Sequence, residues 1–172
     1  MTREQFVTIL YRLNGSPVDV GASMFADVSA NSRSFGYIAW AYVEGIIAPD
    51  ANGNFRPTQM ITRAEIATMI TRMGGYTETG ANTFSDINDH PDRDNILRAS
   101  NAGLFWGYDG SFRPDHSATR YEVVAVLLRY LLGDAPTEDM WAGINVPFTD
   151  VSRDHWAFGY VALSWAGYSP AP

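Results

Sequence analysis

Cysteine is absent from the 172 residues, which removes disulfides, thiolate nucleophiles and thiolate metal ligands. Long apolar runs are absent as well. No stretch approaches the roughly 20 residues that a membrane span requires, so no membrane span is expected. An excess of positive charge is also missing: 12 basic residues face 19 acidic ones, a formal charge of −7. Phosphate binding wants a basic face, so nucleic acid is not expected as a partner. Met1 to Gln5 lack the basic n-region and apolar h-region of a secretory signal. G-x-S-x-G, Walker and dinucleotide fingerprints are missing, and no cofactor is implied. His90, His116 and His155 lie far apart without metal-ligand spacing, and no metal is expected.

What is present is globular. Hydrophobic residues make up 46% and charged residues 18%, far from a disordered composition. Aromatics reach 13%, with five Trp and nine Tyr. That suits a dense small core or sugar-stacking surfaces.

The dominant feature is internal self-similarity. One pattern opens the chain as Thr2-Arg3-Glu4-Gln5, then Phe6, Ile9, Leu10, Arg12 and Gly15. It returns as Thr62-Arg63-Ala64-Glu65 through Arg72 to Gly74, and as Thr119-Arg120-Tyr121-Glu122 through Arg129 to Gly133. A second pattern begins Phe25-Ala26-Asp27-Val28, Phe84-Ser85-Asp86-Ile87 and Phe148-Thr149-Asp150-Val151, and runs to Gly45, Gly103 and Gly167. Between them stand the loops Gly53-Asn54-Phe55-Arg56-Pro57 and Gly110-Ser111-Phe112-Arg113-Pro114. The order is a back half at 1–15, whole repeats at 25–75 and 84–133, and a front half at 148–168. The halves are complementary, so the two ends are expected to complete one another, within one chain or between chains. That leaves a monomer or an end-swapped oligomer.

Each back half carries a helix start. Thr2 with Gln5, Thr62 with Glu65 and Thr119 with Glu122 fit the capping box. Apolar residues at 66, 69, 70 and 73 follow helical spacing. Arg12, Arg72 and Arg129 favour the last turn, and the following glycines stop the helix. The front half reads as a short extended piece entering a second helix. The fold class is therefore all-α: three helix-loop-helix repeats packed on a shared centre.

One residue in each back half conflicts with local stability. Arg3, Arg63 and Arg120 occupy the first helical position, where a cation opposes the helix dipole at a cost of roughly 0.3–1 kcal/mol. Two explanations stand: the arginines meet an external carboxylate or phosphate, or they pair with Asp27, Asp86 or Asp150 of a neighbouring front half.

Phe-x-Asp-Val, the mid-repeat glycine, the Gly-x-Phe-x-Pro loop and Thr-Arg-Ala-Glu together resemble the S-layer homology repeat, over nearly the whole chain. The resemblance implies a pseudo-threefold helical bundle that anchors proteins to secondary cell-wall polysaccharide outside the cell, often through a pyruvate ketal. Ligand grooves are then expected between repeats. Carried over by motif position, they would use Arg3, Arg63 and Arg120, with Asp27, Asp86 and Asp150 lining them. Copy two keeps the family's Gly107-Tyr108 after its mid-repeat glycine, beside Trp106, whereas copy one has Ala48-Pro49. Copy three keeps His155-Trp156. The groove of Arg120 with Gly107-Tyr108 is expected to be the best preserved. The competing expectation is a structural or protein-interaction array without glycan. An enzyme is not expected, because the capping box already accounts for Glu65 and Glu122, the one carboxylate pair suited to glycoside hydrolysis. Asp50-x-Asn52-x-Asn54 opens like a calcium loop but has Ile61 at the twelfth place, and reads as a turn.

Overall fold

The computed structural model describes residues 1–16 and 25–167. Its regular elements are helices: α1 (Arg3–Leu13), α2 (Phe35–Val43), α3 (Arg63–Gly74), α4 (Arg93–Asn101), α5 (Arg120–Leu132), α6 (Glu138–Trp141) and α7 (Phe158–Trp165). Only isolated bridges, such as Thr2 with Met60 and Thr62 with Ser117, supply extended pairing among the described residues. The all-α expectation is met. The short α6 lies in the stretch after Gly133 and was not foreseen.

The three capping boxes form as their spacing dictates. Thr2, Thr62 and Thr119 sit in extended backbone and accept from the N–H of Gln5, Glu65 and Glu122, whose side chains reach back to the cap. α3 and α5 end on Gly75 and Gly133, both left-handed at φ +66° and +77°, a conformation glycine adopts without a Cβ penalty.

Each back helix packs on the front helix that follows it in the chain: α1 on α2, α3 on α4, and α5 on α7. The first joint is aromatic, with Tyr11 4.6 Å from Tyr37 and 5.5 Å from Trp40 between ring centroids. It is pinned where Ser34 donates to Glu4 at 2.6 Å. The second joint is pinned where Thr68 donates to Asp92 at 2.9 Å. α7 thus completes the pairing begun by α5, and no comparable contact joins α7 to α1. Within one chain, completion of one end by the other is not seen among the described residues.

A single large core runs from Phe6 and Leu10 through Phe55, Ile61, Ile66 and Ile70 to Phe112 and Val126. A smaller cluster of Ala125, Leu128, Tyr160 and Leu163 lies under α7.

Candidate functional site

The arginine that violates helix preference is explained first by its reach. Arg3 donates through Nε to the Phe55 carbonyl at 2.7 Å and through Nη1 to Glu65. Arg63 repeats this one repeat later, donating to the Phe112 carbonyl at 2.8 Å and to Glu122. Each guanidinium therefore clasps the capping-box glutamate of the next repeat. Backbone bonds run alongside: Arg3 N–H to Gln59 O and Glu4 N–H to Pro57 O, then Arg63 N–H to His116 O and Ala64 N–H to Pro114 O. The internal partner is thus a glutamate, not the expected front-half aspartate.

The aspartates have another task. Asp27 accepts the N–H groups of Phe55 and Arg56 at 2.8 and 2.7 Å, and Asp86 those of Phe112 and Arg113 at the same distances. Arg56 and Arg113 are held at φ +60° and +59°, a left-handed conformation that costs a side-chain-bearing residue roughly 1–2 kcal/mol. Each carboxylate offsets that strain by fixing two consecutive amides. Burial works to raise the Asp86 pKa, yet the amides of Phe112 and Arg113 outweigh it and hold it below the usual carboxylate range.

A cavity of about 570 Å³ opens beside α5, between the second and third repeats. Arg63, Trp106, Gly107, Tyr108 and Trp156 line it, together with Arg113, Tyr121, Glu122 and Arg129. Arg63 also donates to the Trp106 carbonyl at 3.1 Å, so the Gly107-Tyr108 loop belongs to the groove of Arg63. The expectation that paired this loop with Arg120 is corrected. Gly107 is needed for close approach: a Cβ there would lie 2.4 Å from the Phe84 ring and 2.7 Å from the Ser111 carbonyl.

Arg129, read from sequence only as a helix-end cation, forms the cavity's other wall. Its Nε donates to the Tyr160 hydroxyl at 2.8 Å and its Nη1 to the Leu104 carbonyl at 3.0 Å. Its guanidinium carbon lies 3.7 Å from the Trp106 ring centroid. Arg129 is 4% exposed, while Trp106 is 55%, Tyr108 72% and Trp156 53% exposed. A buried cation thus backs an open aromatic rim. Burial lowers the Arg129 pKa from its ordinary value, which still leaves a cation at neutral pH.

The charge balance of this cavity opposes that of the chain. Three arginines and one glutamate line it, whereas the chain carries −7. Burial works to raise the Glu122 pKa, but the Thr119 hydroxyl and amide and the Arg63 guanidinium outweigh it and hold it low. Of the five N–H donors on Arg63, three have acceptors in the protein. The other two have no acceptor among the described residues.

A second, smaller cavity of about 220 Å³ lies at the preceding seam, lined by Arg3, Arg56 and Arg72 but also by Asp50, Glu65 and Asp92. Its charges cancel, and Arg3 is 6% exposed. Asp50 accepts the N–H groups of Asn52 and Asn54 at 2.9 and 3.0 Å, so its segment closes a turn. Arg120 and Asp150 are exposed. Neither lines a described cavity, nor do Asp27 and Asp86. Sequence reading missed Arg129, Arg113 and Tyr121. The recurrence of Arg72 at Arg129, with a guanidinium bond to the carbonyl after the mid-repeat glycine in each copy, was the available signal.

Residues 25–67 and 83–124 match the S-layer homology domain. The chain is 37% identical over 139 residues to Cell surface glycoprotein 1 of Acetivibrio thermocellus, covering 74% of this chain and 6% of that protein. It is 34% identical over 118 residues to the Cellulosome-anchoring protein of the same organism, covering 63% of this chain and 26% of that protein. S-layer protein EA1 of Bacillus anthracis is 30% identical over 129 residues, covering 70% of this chain and 14% of that protein. The chain therefore spans a small part of the length of each of these relatives.

Proposed function

We propose that this chain, which belongs to the S-layer homology domain family, is an anchoring module of the bacterial cell surface. It holds a larger protein in place by binding an anionic cell-wall polysaccharide in the cavity of Arg63 and Arg129. The relatives are named as surface, anchoring and S-layer proteins, which supports the location.

One observation carries the ligand class: an open cavity with a surplus of arginine inside a chain of charge −7. A sugar bearing a carboxylate, such as a pyruvate ketal, satisfies both halves of the wall. Its carboxylate takes the remaining guanidinium donors of Arg63, and charge-assisted bonds of this kind are about twice as strong as neutral ones. Its ring lies against Trp106, Tyr108 or Trp156, which are rigid and already exposed. Every basic residue of the chain is arginine, whose planar fork matches a carboxylate better than a lysine ammonium does. The first seam fits the purely structural reading, because Arg3 is buried and its cavity is electrically balanced.

The test is calorimetric titration of purified wall polysaccharide, with and without its anionic substituent. Binding is expected for the intact polymer only, and it weakens as salt rises. Equal binding of both polymers would overturn the carboxylate reading. No binding of either would leave the structural array as the function.

A further inference from the structure

Arg56 and Arg113 share a place in the repeat and a backbone geometry. Each follows the phenylalanine of its loop, at φ +60° and +59°, and donates its N–H to Asp27 or Asp86 at 2.7 Å. Their side chains differ in what meets them. The Arg56 Nε lies 3.3 Å from Asp50 Oδ2, and its Nη2 lies 4.0 Å from Glu65 Oε1. Carboxylates of the protein itself therefore neutralise Arg56 at the first seam.

At the second seam a tyrosine stands where that acid stood. The Asp50 N–H donates to the Asn54 carbonyl at 3.0 Å, and the Tyr108 N–H donates to the equivalent Ser111 carbonyl at 2.9 Å. The Arg113 guanidinium carbon lies 5.4 Å from the Tyr108 ring centroid. No carboxylate lies within ion-pair distance of it among the described residues. Arg113 is exposed and lines the same cavity as Arg63. Arg63 holds the carbonyl of Phe112, the residue just before Arg113. Two guanidinium groups thus meet one cavity beside one loop. Arg63 stands in the wall with 11% of its side chain exposed, and Arg113 stands at the rim.

We infer that Arg113, carried on Tyr108, is a second anion subsite, an inference that rests on the polysaccharide reading of this cavity. It takes an oxyanion, carboxylate or phosphate, on the sugar unit next to the one whose acidic group Arg63 binds. The tyrosine face holds the guanidinium without using any of its N–H donors. Asp86 fixes the backbone from which the side chain leaves the loop, so less freedom is lost when a ligand docks. The planar fork suits an oxyanion better than a point charge does. The second seam therefore selects polymer with acidic groups on successive units over polymer that carries them sparsely. The first seam lacks this selectivity, because Asp50 already occupies Arg56.

The test uses fragments of purified wall polysaccharide, sorted by charge into those with no, one or two acidic groups. Calorimetric titration of the intact chain is expected to show two-acid fragments binding about fivefold tighter than one-acid fragments, the scale of an exposed ion pair. Arg113→Gln should erase that advantage, and Arg113→Lys should keep part of it, because the charge remains. The side chain is exposed, so circular dichroism of both variants should match the parent. An advantage kept by phosphate-free two-acid fragments supports the inference with a carboxylate as the second group. An advantage confined to phosphate-bearing fragments supports it with a phosphate. Equal affinity for one-acid and two-acid fragments, or an advantage that survives Arg113→Gln, would overturn the second subsite. The polysaccharide reading stands in that event if one-acid fragments still outbind acid-free ones. Equal behaviour of all three classes would overturn both.

Discussion

At the scale of single residues, the arginines divide by what surrounds them rather than by motif position. Arg63 and Arg129 share a cavity in which Trp106 covers the Arg129 guanidinium at 3.7 Å. Trp106→Ala is expected to lower polysaccharide affinity about tenfold, or about 1.4 kcal/mol. The melting temperature should scarcely move, because that ring is already half exposed. Calorimetry and thermal melting check the two halves of this prediction. The depressed carboxyls set a pH dependence with a definite sign. Asp86 and Glu122 titrate lower in the folded chain than in the unfolded one, where such groups titrate near pH 4. Their stabilisation is therefore complete above about pH 5 and is lost as the pH falls through the folded values. A melting series from pH 7 to 3 should show stability falling below about pH 4.5, and Glu122→Gln should flatten part of that fall.

At the scale of elements, a helix start in this chain is also a seam between repeats. Glu65 caps α3 and receives Arg3. Glu65→Ala removes the reciprocal half of the cap and strands a guanidinium that is 6% exposed. A cost of about 3–5 kcal/mol is expected, as for other broken buried pairs. Gln5 holds the same place in the first back half but is exposed and receives no arginine among the described residues. Gln5→Ala should cost under about 1 kcal/mol. Urea denaturation of the two variants makes the comparison, and equal losses would refute the clasp. The capping boxes were legible in the sequence because a cap is a local object, complete within four residues. The clasp was not, since Arg3 and Glu65 are 62 positions apart and spacing along the chain carries no sign of their approach. The aspartates were misjudged for the same reason: Asp27 reaches Phe55 and Arg56 only after the chain has turned back on itself.

At the scale of the whole molecule, the two cores are unequal. The large one gathers residues from α1 to α5, whereas α7 rests on a small cluster around Leu128 and Tyr160. Local opening follows buried contact, so amide exchange should be faster in α7 than in α3, by at least tenfold at neutral pH. Mass spectrometry of exchanged peptides measures this directly, and equal protection of the two helices would show one cooperative unit instead. The repeat periodicity, the all-α class and the family were determined by the sequence alone, because each is written in short-range signals that recur three times: a cap, an apolar stripe and a turn. The tertiary structure decided which arginine faces an open cavity, that Arg129 belongs to it, and that each back helix pairs with the front helix after it. Those outcomes depend on burial and on the charges that distant segments bring together, and no local pattern encodes either.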